Sequence, residues 1–481
     1  MSQDNLYLAI DQGGQSTRVA VYSGIGEQVC CFSAACATTR HKRENSAYEH
    51  LEQNAEEILA GIRACLEKVH LHLRDDISRI KAASFAGQGS SLVCWNNQTG
   101  AALSPILSWQ DIRGEPWLDN ISLTPQETRH LTGLRLSPHY GATKIRWCLE
   151  HNPKVMQAQQ ENHLSIGPIV SYIFWHLLDK KSVVDPGHAQ RTLLWNLTHN
   201  EWDQTLLDIF KIPRDVLPRC QYHNSLFGDL LLGGHTIPFA ASARDQGASL
   251  FARGLPERDS CYINIGTGAF IQCLSENLDA PEGLLVSPLW LPENPVDKKY
   301  YAWEATVNGA AAALGFIQQQ TGLEITPQEI NEALGVNPTS ECYFLNAIGG
   351  LSAPYWRTDL QSRFSDNLTS CEKILAWIES VIFQIVVNVQ LMDQFGLMNK
   401  IIISGGFSKA DAVCQKIADL TQANVHRSDN TDATVQGAAC MAAGLAQTWQ
   451  PVMDEDIFIP QENLPLLNRF EKWQYAMGQW L

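Results

Sequence analysis

Two units of strand, glycine turn and strand, which begin about 255 residues apart, constrain the fold of this chain most. In the first unit, the apolar run 6–10 enters a glycine-containing turn and continues into a second apolar run at 19–22. In the second unit, the run 261–265 passes through a Gly-Thr-Gly turn into 269–271. Two apolar runs around a glycine turn predict a β-hairpin. Because a chain of 481 residues is also too long for one core, we predict two domains that share one duplicated fold.

Helical and strand-like segments alternate after each predicted hairpin. Apolar residues recur at helical spacing over 53–73, and the run 80–85 that follows is strand-like. In the second half, a helix is predicted over 373–398, a strand over 401–403 and a helix over 411–421. This alternation predicts an α/β fold for both domains.

The predicted domain boundaries follow from the place where this pattern restarts. The N-terminal domain is predicted to span 1–245, and the C-terminal domain is predicted to span 246–449. The remaining stretch, 450–481, carries Pro, Asn and Glu, so we predict a surface extension that ends in a short helix.

The charge balance excludes two classes of partner. Lys and Arg number 35 and Asp and Glu number 51, which gives a net charge of −16 with His neutral. Nucleic acid and anionic membranes require a basic surface, so we expect neither to bind. No apolar run reaches the ~18 residues of a membrane-spanning helix, and the N-terminus has no signal-peptide pattern. Thirteen scattered cysteines without a CxxC pair indicate reduced thiols, so we expect a cytoplasmic protein without a zinc site.

Both predicted hairpin turns have the composition of a phosphate-binding site. A nucleoside triphosphate needs backbone N–H groups directed at its oxygens and a carboxylate that holds Mg²⁺ directly or through water. Asp11 with Gly13 and Gly14 can supply the first half of such a site, and Gly266 with its neighbours the second. A single glycine turn is more often only a turn, and Arg18 suits a phosphate contact and a salt bridge equally. A third glycine turn at 405–406 strengthens the phosphate-binding interpretation.

Asp245 is the candidate base. It lies between a strand-like segment and the small-residue start of a helix. Transfer of a γ-phosphoryl group requires an acceptor that orients the incoming hydroxyl and takes its proton, which Asp245 can provide. Spacing alone favours a helix N-cap instead, because Asp is common at that position.

Further sequence blocks follow these motifs in a fixed order. They are Asp11-Gln12-Gly13 with Ser16-Thr17-Arg18, Ser108-Trp109-Gln110-Asp111-Ile112-Arg113, Thr132-Gly133-Leu134, Lys144-Ile145-Arg146-Trp147, Ala189-Gln190-Arg191-Thr192-Leu193, Trp202-Asp203, Arg244-Asp245-Gln246, Ile265-Gly266-Thr267-Gly268, Gly350-Leu351-Ser352-Ala353-Pro354-Tyr355-Trp356, Gly405-Gly406 and Gln436-Gly437-Ala438-Ala439. In this order the chain resembles the FGGY family of carbohydrate kinases over about residues 6–449.

The resemblance implies an actin-like fold with two RNase H-like domains that close on ATP and a small sugar or polyol. It implies that Asp245 is the catalytic base, and that Asp11 and Asp245 lie at the Mg²⁺ site. The residues implied to bind the nucleotide are Gly13, Gly14, Gln15, Ser16, Arg18, Gly266, Thr267, Gly309, Gly405, Gly406 and Lys409. The residues implied to bind the substrate are Gln88, Gly89, Ser90, Trp109, Asp111, His139, Asp245 and Gln246. Homodimers and homotetramers are common in the family.

Among family members the blocks look nearest to glycerol kinases, but the substrate pocket differs. Glycerol kinases place an Arg-Glu pair where this chain has Gly89 and Ser90. Loss of both charged groups is expected to weaken glycerol binding and to leave room for a longer molecule. We therefore predict a ketose or a larger polyol as the substrate. Gly14 stands where the family usually has Thr, and Arg244 stands in place of Gly before the catalytic Asp, so it either faces Asp245 or faces solvent.

Two alternatives stay open from the sequence. One is a glycerol kinase proper, because most of the blocks resemble that group. The other is an actin-like nucleotide-binding protein with weak or no kinase activity that acts as a sensor, because Gly14 and Arg244 alter two functional motifs.

Overall fold

The computed structural model describes residues 4–42, 48–336, 338, 341–394, 396, 398–428, 432–452 and 454–481. The chain divides into two compact units. The first comprises residues 1–256, 287–301 and 432–452, and the second comprises residues 257–286, 302–431 and 453–481. The chain thus returns to the first unit twice after leaving it, while the domain boundary at residue 245 stays a prediction.

The helices and strands have the following bounds. The strands are β1 (Leu6–Gln12), β2 (Ser16–Ser23), β3 (Gln28–Ala35), β4 (Thr39–Lys42), β5 (Glu49–Gln53), β6 (Ile80–Gly87), β7 (Leu92–Asn96), β8 (Ile106–Leu107), β9 (Leu164–Pro168), β10 (Val183–Val184), β11 (Trp195–Asn196), β12 (Glu201–Trp202), β13 (Arg219–Cys220), β14 (Gly228–Leu232), β15 (His235–Arg244), β16 (Ser260–Ile265), β17 (Ala269–Ser275), β18 (Leu285–Trp290), β19 (Tyr300–Val307), β20 (Phe344–Leu345), β21 (Arg363–Phe364), β22 (Lys400–Ser404), β23 (Asn424–Ser428) and β24 (Glu455–Phe458). The helices are α1 (Ala55–Leu73), α2 (Pro125–Thr132), α3 (Gly141–His151), α4 (Pro153–Gln160), α5 (Ile169–Leu177), α6 (Pro186–Gln190), α7 (Gln204–Phe210), α8 (Asp245–Ser249), α9 (Leu314–Thr321), α10 (Pro327–Leu334), α11 (Ser370–Met392), α12 (Asp411–Thr421), α13 (Ala433–Ala442) and α14 (Leu464–Trp480).

The first unit is built on a six-stranded mixed sheet with the strand order β14-β15-β6-β1-β2-β3. Strands β1 and β2 form the predicted antiparallel hairpin, and β6 runs parallel to both β1 and β15. Helix α13 packs on β1 and β6, and α1 packs on β2 and β3. A second sheet of this unit has the order β4-β5-β8-β7-β9.

Helix α1 confirms the helical spacing predicted for 53–73. The side chain of Asn54 caps the helix by accepting from the backbone N–H groups of Glu56 and Glu57. The apolar positions that recur at helical spacing are all buried, namely Ile58, Leu59, Ile62, Cys65, Leu66 and Val69. The buried stripe therefore follows the period of 3.6 residues.

The second unit contains a seven-stranded sheet with the order β18-β19-β17-β16-β22-β23-β24. Strands β16 and β17 form the second predicted hairpin, and β22 runs parallel to both β16 and β23. In both units, therefore, a parallel strand pairs with the first strand of an antiparallel hairpin. This common topology confirms the prediction of a duplicated fold.

Helix α11 is the long core helix of the second unit. It begins after Thr369, which forms a capping box with Glu372. It ends at Met392 rather than at residue 398, and residues 395 and 397 lie outside the described part of the chain. By length and composition α11 could cross a membrane, but 83% of its most apolar window is buried inside the protein. Such burial is typical of a core helix.

The stretch from 450 onward differs from the predicted surface extension. Strand β24 pairs with β23 at the edge of the seven-stranded sheet, and the last helix is 17 residues long. Trp473 of this helix is fully buried and donates from its indole N–H to the carbonyl of Phe344 at 3.1 Å. Arg469 of the same helix is also buried, and its Nη2 atom lies 2.7 Å from Oε1 of Glu379. The apolar face of α14 therefore belongs to the core of the second unit.

Candidate active site

Three parallel strands of the first unit end at the same level of the sheet. Asp11 of β1 lies opposite Ala86 of β6, and Ala243 of β15 lies opposite the same residue. Gln88 and Asp245, which follow β6 and β15, are therefore brought to one edge with Asp11. Ligands of α/β proteins bind beyond the carboxyl ends of parallel strands, so this edge is the candidate active site of the first unit.

Asp11 and Asp245 interact electrostatically at this edge. The pKa of Asp11 is raised to about 7, first by burial and next by the charge of Asp245, while Asp432 adds to the rise and Arg18 opposes it. Desolvation also raises the pKa of Asp245, whose carboxylate accepts from the backbone N–H of Gln246 at 2.7 Å. A carboxylate with a raised pKa takes up a proton more readily than an ordinary one, as a general base must.

Arg18 forms an ion pair with Asp432. Its Nη1 atom lies 2.8 Å from Oδ1 of Asp432, and each side chain is 33% exposed. Asp432 immediately precedes α13, so the final return of the chain to the first unit brings this carboxylate to the hairpin. No sequence motif pointed to Asp432, because the pair joins residues more than 400 positions apart. The phosphate contact of Arg18 stays a prediction beside this salt bridge.

The first hairpin turn is held by its own backbone. The N–H of Gly13 donates to the carbonyl of Ser16 at 2.9 Å. The carbonyl of Gly14 accepts from Nε2 of Gln53 at 2.9 Å, and a Cβ atom on Gly14 would lie 3.8 Å from Nε1 of Trp109. Gln15 is exposed and Ser16 is partly buried. Side chains therefore fix the turn at the carbonyls of both Gly13 and Gly14, and Gly14 lies beside Trp109.

A cluster of buried amides lies beneath this turn. Nε2 of Gln88 donates to Oε1 of Gln12 at 2.9 Å and to Oε1 of Gln53 at 2.8 Å. Its Oε1 atom accepts from the hydroxyl of Ser91 at 2.9 Å. Gln88 is only 2% exposed, so its amide holds the ends of β1 and β6 together. This arrangement favours a structural role for Gln88 over direct contact with a substrate.

Arginine side chains cover Gly89. A Cβ atom on Gly89 would lie 3.1 Å from Cδ of Arg244 and 3.2 Å from Cγ of Arg191. The space that a larger residue would take at position 89 is thus already occupied, which the sequence argument for a roomier pocket did not anticipate. Both arginines are buried, and both lower the pKa of Asp245 against the larger effect of desolvation. Arg244 therefore faces the candidate base rather than solvent.

Three other predicted pocket positions lie between β8 and α3, on two loops that α2 separates. Trp109 is 41% exposed, and its carbonyl lies 3.2 Å from Nδ1 of the exposed His139. Asp111, by contrast, is fully buried: its carboxylate accepts from Nη2 of Arg113 at 2.7 Å and from the N–H of Leu51 at 2.7 Å. These contacts favour a structural role for Asp111.

A buried carboxylate–histidine pair lies behind β6 and β15. Asp185 accepts from Nδ1 of His188 at 2.6 Å and from the hydroxyl of Ser242 at 2.7 Å, and Nε2 of His188 lies 3.2 Å from the carbonyl of Gly87. Burial raises the pKa of Asp185, but the charge and hydrogen bond of His188, together with the charge of His223, hold this pKa well below its usual range. The pair therefore braces the ends of both strands beside Asp245.

Comparison with known proteins decides the family. Residues 6–252 match the N-terminal domain of the FGGY family of carbohydrate kinases, and residues 261–446 match its C-terminal domain. The chain belongs to the FGGY family of carbohydrate kinases. As an FGGY kinase it is a phosphotransferase that uses a hydroxyl of a sugar or polyol as acceptor and ATP as donor.

Individual relatives agree with this assignment. The glycerol kinase of Acinetobacter baylyi is 29% identical over 497 residues, which cover 98% of this chain and 98% of that protein. The crystal structure of Plasmodium falciparum glycerol kinase with ADP matches with a TM-score of 0.87 at 22% identity, covering 99% and 98% of the two chains. A ligand-bound xylulose kinase from Lactobacillus acidophilus matches with a TM-score of 0.81 at 20% identity, covering 99% and 97%. The fold of this FGGY kinase is thus the predicted actin-like, two-domain α/β fold.

In the second unit of this FGGY kinase, glycine turns follow the ends of β16 and β22. The N–H of Gly266 donates to the carbonyl of Gly268 at 2.8 Å, and the carbonyl of Thr267 accepts from the N–H of Ala312 at 3.0 Å. Gly405 has a φ of +100°, and a Cβ atom there would lie 2.4 Å from the carbonyl oxygen of Ile265. Only glycine fits this close approach of the two turns.

The remaining predicted nucleotide residues lie in the second unit. Gly309 has a φ of +72°, and its carbonyl accepts from the indole N–H of Trp377 at 3.0 Å. Gly406 and Lys409 are exposed on the short helical turn after β22. Gly437, from the block Gln436-Gly437-Ala438-Ala439, lies by contrast on α13 of the first unit.

Proposed function

We propose that this FGGY kinase transfers the γ-phosphoryl group of ATP to a hydroxyl of a ketose or of a polyol longer than glycerol, with Asp245 as general base. Asp245 takes the hydroxyl proton, the hydroxyl oxygen forms a bond to the γ-phosphorus, and the bond to the bridging oxygen breaks to release ADP. The observation that carries this proposal is the raised pKa of Asp245 at the edge where β1, β6 and β15 end.

Asp11 and Asp245 also fit a Mg²⁺ site. Their carboxylates raise each other's energy when both are charged, as the raised pKa of Asp11 indicates, and a divalent cation relieves this repulsion. The described residues contain no group of three His, Cys, Asp or Glu side chains that suits a metal. Mg²⁺ needs fewer protein ligands than that, because it keeps several waters and binds substrate phosphates. When bound, Mg²⁺ neutralises charge that develops on the phosphates.

The residues around Gly89 support a substrate other than glycerol. Glycerol kinases place a charged pair at positions 89 and 90, whereas this chain presents Gly89, Ser90 and the neighbouring side chains of Arg244 and Arg191. The side chains that can donate hydrogen bonds to the substrate therefore belong to other elements than the corresponding side chains in glycerol kinases. A hydroxyl chain longer than glycerol can reach donors that are spread over several elements, and a sugar acid would complement the two arginines. Glycerol itself stays the alternative substrate.

The nucleotide contacts are proposed on backbone groups and on Arg18. The candidates for phosphate contacts are the glycine turn at 13–14 in the first unit and the turns at 266–268 and 405–406 in the second, where Lys409 adds one cation. The N–H groups of Gly13 and Gly266 are excluded, because they donate to the carbonyls of Ser16 and Gly268. All thirteen cysteines are free, which supports a reducing, cytoplasmic location. A homodimer or homotetramer is the expected assembly, as in other FGGY kinases.

A screen of acceptors tests the proposal. ADP release is measured with pentuloses, hexuloses, heptuloses, tetritols, pentitols, aldonates and glycerol, and ATP binding is measured separately by calorimetry. We expect turnover with at least one ketose or longer polyol at a kcat/KM above that for glycerol. A kcat/KM for glycerol that exceeds all others would establish a glycerol kinase. ATP binding without turnover on any acceptor would support the sensor alternative.

A further inference from the structure

The fully buried ammonium group of Lys144 joins three separate loops. Lys144 lies in the first turn of α3 and is 0% exposed. Its Nζ atom donates to the carbonyl oxygens of Ser90 at 3.0 Å, Ser108 at 2.7 Å and His139 at 2.8 Å. The three acceptors come from the loop after β6, the loop after β8 and the loop before α3, so one side chain connects segments that are distant in sequence.

The geometry uses every hydrogen-bond donor of the charged side chain. An ammonium group has three N–H donors and no acceptor, and each donor here meets one carbonyl. A neutral amine has only two N–H donors, so it would leave one of the three carbonyls without its partner. Hydrogen bonds to a charged donor are stronger than neutral ones, and an unpartnered buried carbonyl is costly. Only the charged form of Lys144 can therefore hold all three loops at once.

Each loop carries a residue of the candidate substrate pocket. The first contains Gly89 and Ser90, the second continues directly into Trp109, and the third contains His139. Ser90 has a φ of +62°, an uncommon conformation for a residue other than glycine. The carbonyl of this residue is one of the three that Lys144 binds, so the lysine offsets the cost of that turn.

We propose that Lys144 is a positioning residue for the acceptor substrate, whose ammonium group fixes the mutual arrangement of Gly89, Trp109 and His139. The inference rests on the proposed function only for the nature of the acceptor. Lys144 itself is buried beneath the loops and acts through their backbones. Its loss is expected to alter acceptor binding and to leave the nucleotide turns at 13–14, 266–268 and 405–406 unchanged.

Hydrogen exchange tests this inference without any substrate. In Lys144→Met, we expect the amides of residues 88–91, 108–111, 137, 139 and 140 to exchange at least about tenfold faster, because three hydrogen bonds to their loops are lost. Lys416→Met is the matched control: Lys416 is a largely buried lysine of the second unit, and its partner Glu379 keeps a second cation in Arg469. Unchanged exchange in all three loops of Lys144→Met would overturn the inference.

Kinetics with an accepted substrate test it a second way. Lys144→Met is expected to raise the KM of the acceptor about tenfold or more and to change the KM of ATP less than about twofold. In Lys144→Ala, ethylammonium is expected to lower the acceptor KM towards the wild-type value, because it restores the missing charged donor. Equal effects on both KM values, or no rescue, would show a general structural role instead. Altered exchange without any substrate in the acceptor screen would refute the proposed function and leave the role of Lys144 standing.

If the variants do not fold, the pH dependence of the unmodified protein provides a third test of the inference. Burial, with Arg113, lowers the pKa of Lys144 to about 7 against the opposing charge of Asp111. Asp111 and Arg113 stay ionised above pH 7, because their pKa values are lowered and raised respectively, and His139 is neutral there because its pKa is lowered. The acceptor KM is therefore expected to rise severalfold between pH 7 and pH 9 while the ATP KM does not. An acceptor KM that stays constant to pH 9 would overturn the inference.

Discussion

Arg18 Nη1 lies 2.8 Å from Asp432 Oδ1, and this ion pair places a negative charge beside the turn that is proposed to hold phosphate. Asp432 also raises the pKa of Asp11. The carboxylate of Asp432 therefore opposes an anionic ligand in two ways, by engaging Arg18 and by adding its own charge.

We predict that Asp432→Asn strengthens ATP binding about two- to fivefold, because it removes a negative charge from beside Arg18 and the proposed phosphate turn. Arg18→Ala is expected to weaken ATP binding about tenfold or more. Both side chains are partly exposed, so the free energy of unfolding should change by less than about 1 kcal/mol in either variant. Calorimetric titration with ATP measures the affinities. Weaker ATP binding by Asp432→Asn would show that the ion pair orders the site rather than competing with the nucleotide.

The buried acids predict a stability that depends on pH. The raised pKa of Asp11 means that the folded protein binds more protons than the unfolded chain between about pH 4 and 7, so Asp11 lowers the free energy of unfolding as pH rises through that window. Asp11→Asn should therefore stabilise the ligand-free protein by on the order of 2–4 kcal/mol at pH 7 and by almost nothing at pH 4. Urea unfolding at both pH values measures this difference. The exposed Asp229→Asn is the control, and an equal effect at both pH values would contradict the prediction.

Asp245→Asn should separate stability from activity. Because the pKa of Asp245 is raised in the folded protein, replacement of the carboxylate is expected to increase the free energy of unfolding at pH 7. Loss of the base should reduce kcat by about 10²–10⁴-fold and leave ATP affinity nearly unchanged. ADP release and urea unfolding measure the two effects on the same preparation. A variant with nearly normal turnover would exclude Asp245 as the base.

The space beside Gly89 predicts the result of restoring the residue found in glycerol kinases. Gly89→Arg alone should impair folding or activity, because its Cβ would lie 3.1 Å from Cδ of Arg244 and 3.2 Å from Cγ of Arg191. Combining it with Arg244→Gly removes one of these two contacts and returns the motif before Asp245 to the usual family form. The double variant should therefore recover solubility and raise the kcat/KM for glycerol relative to the preferred acceptor about tenfold or more. A double variant as defective as Gly89→Arg would show that the two positions do not compensate.

Two adjacent glycines offer a matched pair. Gly405→Ala should cost about 2 kcal/mol or more, because a Cβ would lie 2.4 Å from the carbonyl oxygen of Ile265 and φ is +100°. Nothing lies within 4 Å of a Cβ on Gly406, and its φ is not positive, so Gly406→Ala should cost less than about 1 kcal/mol. Thermal unfolding compares the two variants. Equal losses of stability would contradict the proposed close approach of the turns after β16 and β22.

The sequence predicted the hairpins, α1 and the strand end at Asp245 well, because apolar periodicity and glycine turns are local signals. It did not predict the contacts of Asp432 and Gln53 or the role of Lys144, since the partners of these residues lie far away along the chain. Two pocket residues, Gln88 and Asp111, were identified by motif alone, and their buried contacts became evident only in three dimensions. The arginines that cover Gly89 were missed for the same reason. A glycine in a sequence block does not show which distant side chains occupy the space beside it.

The order in which the first unit is assembled follows from its three chain segments. Helix α13 packs on β1 and β6, yet it begins at residue 433, long after the main segment of that unit ends at residue 256. At ~5–20 residues per second, ribosomes need on the order of 10–40 s to make the intervening chain. During that time the apolar surface of β1 and β6 that α13 covers lacks its partner helix, so translation that stops early is expected to release an aggregation-prone fragment.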